Sequence, residues 1–370
     1  MRKNHVAESL SDLDVYARQY RQKRPHLCTC YKAIHLPTHY CDSNRNPVCL
    51  VRIDRICGLT TTFGGAMRKY VCMVLAGVIG FAASGPAVYA EEPSGTLKKI
   101  KDTGALVLGA PDSNVPFAYL DDKQQHVGYS IDLCMKIAAG LQRQLSMSKL
   151  SVQVRSVTNT TRIALIQNGS IDIDCDSATN TAERQKQVAF APTDFIATAR
   201  LVAKKSSNIH SLNDMKGKTI VSTAGSSNIR QIVELNRDRH LGMTIISAKD
   251  HAEGFLTMAT GRAVAFAMDD ILVAALVANS KNPDEYAITD EVLLVEPSGF
   301  ILRRDDPAFK RAVDTALSHV YQSGEIDAIY NKWFMSPIPP KGINLKLPMS
   351  DRLKAVFAHP TDSSDPNDYK

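Results

Sequence analysis

Polar side chains of the kinds that bind charged small molecules follow each of four short apolar runs in the sequence. They are Asp176, Ser177 and Thr179 after IDIDC, Gly225, Ser226 and Ser227 after TIVST, His251 after IISAKD, and Asp269 and Asp270 after AVAFAM. In an open α/β sheet, ligands bind beyond the carboxyl ends of the strands. If the four runs are strands, these side chains therefore surround a ligand site.

Two of these groups predict the kind of ligand. The segment from Gly225 to Ser227 starts a helical pattern, and a helix start offers backbone N–H groups and a positive dipole end to a carboxylate. Asp269, at another strand end, suits an ammonium group. Together they predict a site for the head group of an amino acid. Asp270 is assigned to helix capping or to the surface.

The elements that position these residues alternate between strand and helix. The run ALVLGA (105–110) predicts a buried strand, and YSIDLCMKIAAGLQRQL (129–145) predicts an amphipathic helix. Its apolar face consists of Ile131, Cys134, Ile137, Ala138 and Leu141. Further strand and helix patterns follow, which predicts an α/β protein with largely parallel sheets and helices on both faces.

Two series of such patterns predict two lobes with a cleft between them. We expect residues 91–198 and 298–370 to form the first lobe, residues 199–297 to form the second, and two chain crossings to join them. Trp333 is expected in the core of the last helix. The polar end HPTDSSDPNDYK (359–370) is expected to be a frayed terminus.

The N-terminal part of the chain predicts export. Residues 67–90 have the parts of a signal peptide: Arg68 and Lys69, an apolar run, and Val88-Tyr89-Ala90 before a cleavage site after Ala90. A membrane anchor is the alternative, but a bilayer span needs about 20 apolar residues and this run is shorter. Residues 1–66 are expected to be an over-extended, unfolded N-terminus, because they show no apolar periodicity.

Charge and cysteine content limit the other classes of function. Residues 1–66 hold 10 Lys and Arg against 5 Asp and Glu, so most of the net charge of +6 lies before residue 91. The basic composition therefore does not predict nucleic-acid binding by the exported part. A metal knuckle is a weak match to zinc-site spacing; its ligands would be Cys28, Cys30, His35, His39 and Cys41. Cys134 and Cys175 either form a disulfide or remain buried thiols.

Many short motifs in one order resemble a known family. They are SNVPFAY, GYSIDL, TRIALIQNGSIDIDC, ERQKQ, MKGKTIV, IISAKDH, GRAVAFAMDD, RRDDP, KWF and PIPPK. Over residues 95–360 the chain is similar to the glutamate/aspartate-binding members of the family 3 solute-binding proteins of ABC importers. The resemblance implies a periplasmic binding protein of type II, the two-lobe Venus-flytrap fold with two hinge crossings.

The resemblance also implies roles for eight residues. Arg184 matches the arginine that grips the α-carboxylate, assisted by Ser227 from the other lobe. Asp269 matches the carboxylate that takes the α-ammonium, with Ser177 and Thr179 completing that grip. Arg162 and His251 match positions that face a side-chain carboxylate. Asn159 stands where the family has a serine.

Two departures from the family's pattern concern the side-chain subsite. Pro111 stands where glutamate binders have an arginine, and Asp176 replaces a glycine. A buried dicarboxylate needs cationic partners, so a neutral amino acid such as glutamine or asparagine is the alternative to glutamate or aspartate.

The resemblance implies the partners and a mode of action as well. We expect a monomer without cofactor, metal or nucleic acid, which closes on an amino acid and docks on an inner-membrane ABC permease with its ATPase subunit. The same fold includes periplasmic dehydratase-like enzymes, for which His251 with Asp176 is the pair we would nominate. It also includes sensory domains of receptors, for which the sequence offers no signalling domain after the lobes.

Overall fold

The structure of the chain is a computed structural model, which describes residues 93–369. The predictions for residues 1–66, for the signal peptide at 67–90 and for cleavage after Ala90 lie outside these residues. No helix in the described part is long and apolar enough to cross a membrane.

The described chain contains ten α-helices and fourteen strands, which alternate along most of its length. The helices are α1 Gly95–Thr103, α2 Tyr129–Gln144, α3 Arg162–Gln167, α4 Ala182–Gln185, α5 Ser227–Asp238, α6 His251–Ala259, α7 Asp270–Asn279, α8 Pro307–Gln322, α9 Glu325–Phe334 and α10 Asp351–Ala358. The strands are β1 Ala105–Ala110, β2 Ser113–Asn114, β3 Ala118–Leu120, β4 His126–Val127, β5 Ser151–Ser156, β6 Ile173–Asp174, β7 Ala189–Phe190, β8 Phe195–Lys204, β9 Thr219–Thr223, β10 Thr244–Ala248, β11 Ala265–Asp269, β12 Tyr286–Ile288, β13 Leu294–Ser298 and β14 Ile301–Leu302.

Two main sheets define two lobes. In lobe 1 the strand order is β5-β1-β6-β14-β7, and in lobe 2 it is β10-β9-β11-β8-β12. The predicted parallel arrangement holds for β5, β1 and β6 and for β10, β9 and β11. It does not hold for β14 and β8, which run antiparallel to their neighbours: β8 carries the chain from lobe 1 into lobe 2, and β14 is the first strand after it returns. The fold is therefore α/β with mixed sheets.

Two long antiparallel strands connect the sheets. β13 pairs with the first half of β8, from Val295 opposite Thr198 to Ser298 opposite Phe195, whereas the second half of β8 pairs with β11 and β12. The lobe boundaries predicted at residues 198 and 297 fall within this strand pair and remain a prediction.

The predicted apolar face of α2 is buried in lobe 1, and so is Trp333 of α9. The Trp333 indole N–H donates to the Asp132 carboxylate of α2 at 2.7 Å, which ties the two helices together. Cys134 of α2 forms a disulfide with Cys175, directly after β6. The open question of cysteine pairing is thereby answered for the folded chain, and the bond anchors the segment that carries Ser177 and Thr179.

The C-terminal segment is packed against lobe 1, so the expectation of a frayed terminus was wrong. Tyr369 is 2% exposed, and its hydroxyl lies 2.8 Å from that of Thr193. Asn180 donates to the Asp362 carbonyl at 2.8 Å, and Lys310 pairs with the Asp362 carboxylate at 2.9 Å. The polar composition of the segment does not predict this packing, because hydrogen bonds and one buried aromatic ring hold it in place rather than an apolar stripe.

Candidate functional site

All eight residues predicted to bind the ligand line one small cavity between the two lobes. They are Asn159, Arg162, Ser177, Thr179, Arg184, Ser227, His251 and Asp269. The cavity has a volume of about 20 Å³, which is enough for a water molecule. The folded chain thus brings the predicted residues together, and their roles towards a ligand remain predictions.

Arg184 contributes a buried cation. Its helix α4 begins at Thr181, whose hydroxyl accepts a hydrogen bond from the Arg184 N–H at 3.2 Å. The guanidinium donates to the carbonyl oxygens of Thr179 at 2.8 Å and Gly225 at 3.1 Å. Within residues 93–369 it forms no ion pair with a carboxylate. Burial, together with the charge of Arg162, lowers the pKa of Arg184 to about 10. A buried guanidinium without a carboxylate partner can bind an anionic ligand.

Asp269 contributes a buried carboxyl group on the opposite side of the cavity, at the end of β11. It accepts a hydrogen bond from the Asn228 side-chain amide at 2.7 Å. Burial raises the pKa of Asp269 well above its ordinary value, and the neighbouring Glu296 carboxyl raises it further, whereas Asn228 lowers it. Because this group lies within lobe 2 and Arg184 within lobe 1, an amino-acid head group placed in the cavity contacts both lobes.

Sequence reasoning missed Asn228 and Glu296. Asn228 lies in the first turn of α5 and lines the cavity. Glu296 is fully buried on β13 and accepts hydrogen bonds from the Thr179 hydroxyl at 3.2 Å and the Asn228 amide at 3.3 Å. The signal that could have found Glu296 is an acidic residue inside the apolar run VLLVEPSGFIL. A charge inside a strand pattern needs a buried partner or a function.

The two lobes meet around this cavity. The hydroxyls of Thr179 in lobe 1 and Ser227 in lobe 2 are 2.9 Å apart, and Arg230 pairs with Glu183 across the same gap. Gly225 has a φ of +73°, and a Cβ at this position would lie 2.9 Å from the Asn159 carbonyl group. The absence of a side chain on Gly225 therefore permits this close approach.

Arg162 is already paired within the protein. It is 2% exposed, donates to the Asn159 side-chain oxygen and to the Asp176 carboxylate at 2.7 Å, and lies 3.2 Å from the Asp174 carboxylate. Burial raises the pKa of Asp174 to about 6, although Arg162 opposes this rise. The guanidinium that was predicted to meet a ligand carboxylate therefore meets two protein carboxylates.

Asp176 is fixed beside Arg162 by a second donor. The Asn114 amide nitrogen donates to both of its oxygens, at 3.0 Å and 2.9 Å. Asn114 lines a neighbouring cavity of about 80 Å³, and Pro111, Asn159 and His251 line it as well. The replacement of glycine by Asp176 thus places a carboxylate at the side-chain end of the candidate site.

His251 begins α6 and lines both cavities. Its Nδ1 atom lies 2.7 Å from the Thr223 hydroxyl. Burial lowers the pKa of His251, although the nearby carboxylates of Asp176 and Asp269 oppose this. The imidazole is therefore neutral near pH 7, and it offers a hydrogen bond rather than a charge.

Two further observations concern residues outside the head-group contacts. Asp270, assigned to capping or the surface, accepts from the Thr198 N–H at 3.2 Å and from the Ile271 N–H of its own helix at 2.8 Å. Among the described residues, no group of three or more His, Cys, Asp or Glu side chains could hold a metal ion.

Known proteins similar to this chain are amino-acid-binding proteins. It is 44% identical over 299 residues to the L-glutamate/L-aspartate-binding protein of Pseudomonas aeruginosa, covering 80% of this chain and 99% of that protein. It is 39% identical over 298 residues to the glutamate/aspartate import solute-binding protein of Escherichia coli, covering 80% and 99%. The crystal structure of an ancestral amino acid-binding protein, a precursor of cyclohexadienyl dehydratase, matches with a TM-score of 0.56 and 27% identity over 65% of this chain and 99% of that one. Residues 106–336 match the family model of the bacterial extracellular solute-binding proteins, family 3. The chain therefore belongs to the bacterial extracellular solute-binding proteins, family 3.

Proposed function

We propose that this protein is the periplasmic solute-binding component of an ABC importer and that it binds glutamate or aspartate. It works as a monomer, delivers the amino acid to an inner-membrane permease with its ATPase subunit, and reaches the periplasm through the signal peptide at residues 67–90. The high identity to two proteins named for glutamate and aspartate supports this ligand class.

One observation carries the proposal: a buried cation and a buried carboxyl group face the same cavity from different lobes. Arg184 donates only to backbone carbonyls within residues 93–369, and Asp269 holds only a neutral amide as donor. An α-carboxylate on Arg184 and an α-ammonium on Asp269 satisfy both groups. Ser227 and Thr179, whose hydroxyls are 2.9 Å apart, lie where they can add hydrogen bonds to the head group.

The size of the cavity supports a mechanism of opening and closing. An amino acid does not fit in about 20 Å³, so the lobes must separate to admit it. Ligand contacts from both lobes then favour a closed, ligand-bound form over the open one by their differential free energy. That form is the one we expect the permease to recognise.

A neutral polar amino acid is the second candidate, and the Asp176 carboxylate on Arg162 favours it. With Asp174 and Asp176 beside it, the Arg162 guanidinium at the side-chain end of the site is already paired, and His251 is neutral near pH 7, whereas the exposed Lys249 lines only the neighbouring cavity. Glutamine or asparagine can donate an amide N–H to such carboxylates, whereas a second ligand carboxylate must compete with Asp176.

The protein is proposed to bind its ligand and not to transform it. The nominated acid–base pair is engaged elsewhere: His251 bonds to Thr223, and Asp176 bonds to Asn114 and Arg162. Incubation of each bound amino acid with the protein, followed by chromatography, tests this. Appearance of a product would favour the dehydratase-like alternative.

Thermal shift and calorimetry with all twenty amino acids test the proposed ligand. The purified protein is first freed of bound ligand by unfolding and refolding. A ligand at about 100 times its Kd adds about 2.7 kcal/mol of stability. Arg184→Ala should weaken binding by about 30-fold or more, since loss of a buried charged partner costs about 2–5 kcal/mol. The exposed Arg262→Ala is the matched control. If no amino acid binds, or if Arg184→Ala binds normally, the proposal is wrong.

A further inference from the structure

Glu296 lies behind the head-group site, out of contact with the cavity but bonded to residues that line it. Its carboxyl group receives the Thr179 hydroxyl at 3.2 Å and the Asn228 amide at 3.3 Å. The same amide nitrogen also donates to Asp269 at 2.7 Å. Because both carboxyl groups accept from this one nitrogen atom, at 2.7 Å and 3.3 Å, their accepting oxygens are no more than about 6 Å apart. One donor therefore serves two buried carboxyl groups.

Two carboxylates this close cannot both be ionised at low cost in a buried site, because like charges repel strongly where water is excluded. Glu296 is fully buried and Asp269 is 4% exposed. One oxygen of Glu296 finds no hydrogen-bond donor among the described residues. A proton held between the two groups removes both problems. It converts one carboxylate into a donor and leaves the pair with a single negative charge.

We propose that Glu296 is a positioning residue of the head-group site, that it shares one proton with Asp269 in the unliganded protein, and that an incoming α-ammonium replaces this proton. This rests on the proposed function, since it assigns Asp269 to the ammonium. The proton leaves to solvent, both carboxylates become ionised, and the ammonium supplies the donors and the positive charge that they then need.

Glu296 also links this exchange to the strands that join the lobes. It lies on β13 opposite Ala197 of β8, and it holds Thr179 of lobe 1 and Asn228 of lobe 2. Ionisation of the pair strengthens both of these hydrogen bonds, because a charged acceptor binds a donor more strongly than a neutral one. Ammonium binding at Asp269 is thereby transmitted to a residue that contacts both lobes.

The other charged groups facing the pair are Arg184 of α4 and His251 of α6, with Arg162, Asp174 and Asp176 beyond them. Arg184, whose pKa is about 10, keeps its charge between pH 6 and 8, whereas Asp174, whose pKa is raised to about 6, contributes at the lower end. A comparison of the protein with a variant at Glu296 separates the pair from Asp174.

The sign of the pH dependence follows from the exchange. Below the raised pKa of Asp269, each ligand molecule must displace a proton, so the Kd rises as the pH falls. The limiting slope is about tenfold per pH unit for one proton. Above that pKa the proton is already absent and the Kd becomes constant.

Isothermal titration calorimetry tests the inference between pH 6 and 8. L-Glutamate, L-aspartate and their amides serve as probes, and each titration is repeated in phosphate and imidazole, which both buffer in this range and differ in ionisation enthalpy. We expect the best binder to release a proton at pH 6, approaching one per ligand, and fewer protons as the pH rises. Glu296→Gln keeps an acceptor for Thr179 and supplies its own N–H to Asp269. It should bind the ligand, release no proton from the pair and show a flat pH profile.

The control is Glu325→Gln on α9, whose half-buried carboxylate pairs with Lys136 of α2 at 2.5 Å, and this variant should behave like the unmodified protein. Binding without proton release at any pH in this range overturns the inference and leaves the proposed function intact. The same holds if Glu296→Gln releases as many protons as the unmodified protein. If none of the four amino acids binds, the proposed ligand and this inference are both wrong. If Glu296→Gln does not fold, Asp174→Asn replaces it: proton release that persists in Asp174→Asn supports the pair, and release that is lost there overturns the inference.

Discussion

The Asp176→Asn substitution should shift ligand preference towards glutamate. The amide keeps an oxygen for Asn114 but removes the charge that occupies Arg162 at 2.7 Å. A ligand carboxylate that shares this guanidinium with Asp176 lies about 4–5 Å from it. At an effective dielectric constant of about 20, the repulsion is about 3–4 kcal/mol. Part of it is offset when Arg162 moves towards the ligand, so we expect glutamate to gain about 10- to 100-fold in affinity relative to glutamine.

The loss of charge also affects the free protein. Breaking a buried ion pair costs about 3–5 kcal/mol when the partner is left alone. Here Asp174 remains 3.2 Å from Arg162, so the loss in free energy of unfolding should be smaller. The binding comparison must therefore be made on folded protein at 25 °C, well below the melting temperature of the variant.

Calorimetric Kd values for glutamate and glutamine, measured on the same preparations, give the ratio directly. Asp284→Asn, an exposed change on the surface of lobe 2, is the control and should leave the ratio unchanged. A ratio that stays within twofold in Asp176→Asn, or that moves towards glutamine, would refute the idea that Asp176 competes with a ligand carboxylate.

Three further predictions concern stability. Replacing Cys134 and Cys175 with alanine should lower the free energy of unfolding by about 4 kcal/mol, because the disulfide joins residues 41 positions apart and reduces the entropy of the unfolded chain. Urea unfolding of the unmodified protein in reductant should show a similar loss. Tyr369→Ala should cost about 2–4 kcal/mol in the same assay, because the ring is buried and its hydroxyl is bonded to Thr193, whereas a frayed end predicts no change. The pKa of Asp174 is raised to about 6 in the folded chain, so folding favours its protonated form, and its contribution to stability falls by about 3 kcal/mol as the pH rises from about 4 to 6. Asp174→Asn should abolish this part of the pH dependence. If the variant keeps the same difference in free energy of unfolding between pH 4 and 7 as the unmodified protein, the prediction is wrong.

The sequence allowed most of the candidate site to be predicted because strand ends are easy to locate. A short apolar run followed by a turn marks where β6, β9 and β11 end, and polar residues at those points lie near each other in any open α/β sheet. This is why Ser177, Ser227 and Asp269 could be assigned to one site before the strand order was known.

The missed residues depend on pairings that periodicity does not encode. Glu296 reaches the site because β13 lies antiparallel to β8, with Glu296 opposite Ala197. The sequence predicts a chain crossing at this point. It predicts neither the register of the strand pair nor the face of the strand on which Glu296 lies. Similarly, Asp176 could be recognised as an added charge, but its bond to Arg162 depends on how α3 packs beside β6. Such contacts arise from tertiary packing, which short-range patterns do not specify.

The close approach of the lobes can be tested at Gly225, where space rather than charge limits closure. A Cβ there would lie 2.9 Å from backbone atoms of Asn159, which cannot rotate away, and the φ of +73° adds the cost that any L side chain has in this region. Gly225→Ala should therefore keep the lobes further apart, weaken amino-acid binding by tenfold or more, and enlarge the radius of gyration in X-ray scattering with ligand present. Gly242→Ala separates the two effects: its φ is +61°, and nothing lies within 4 Å of the added carbon. Both variants should lose about 1–2 kcal/mol of stability from the backbone alone. Only Gly225→Ala should lose affinity, and equal binding by the two variants would mean that this contact between lobes does not control closure.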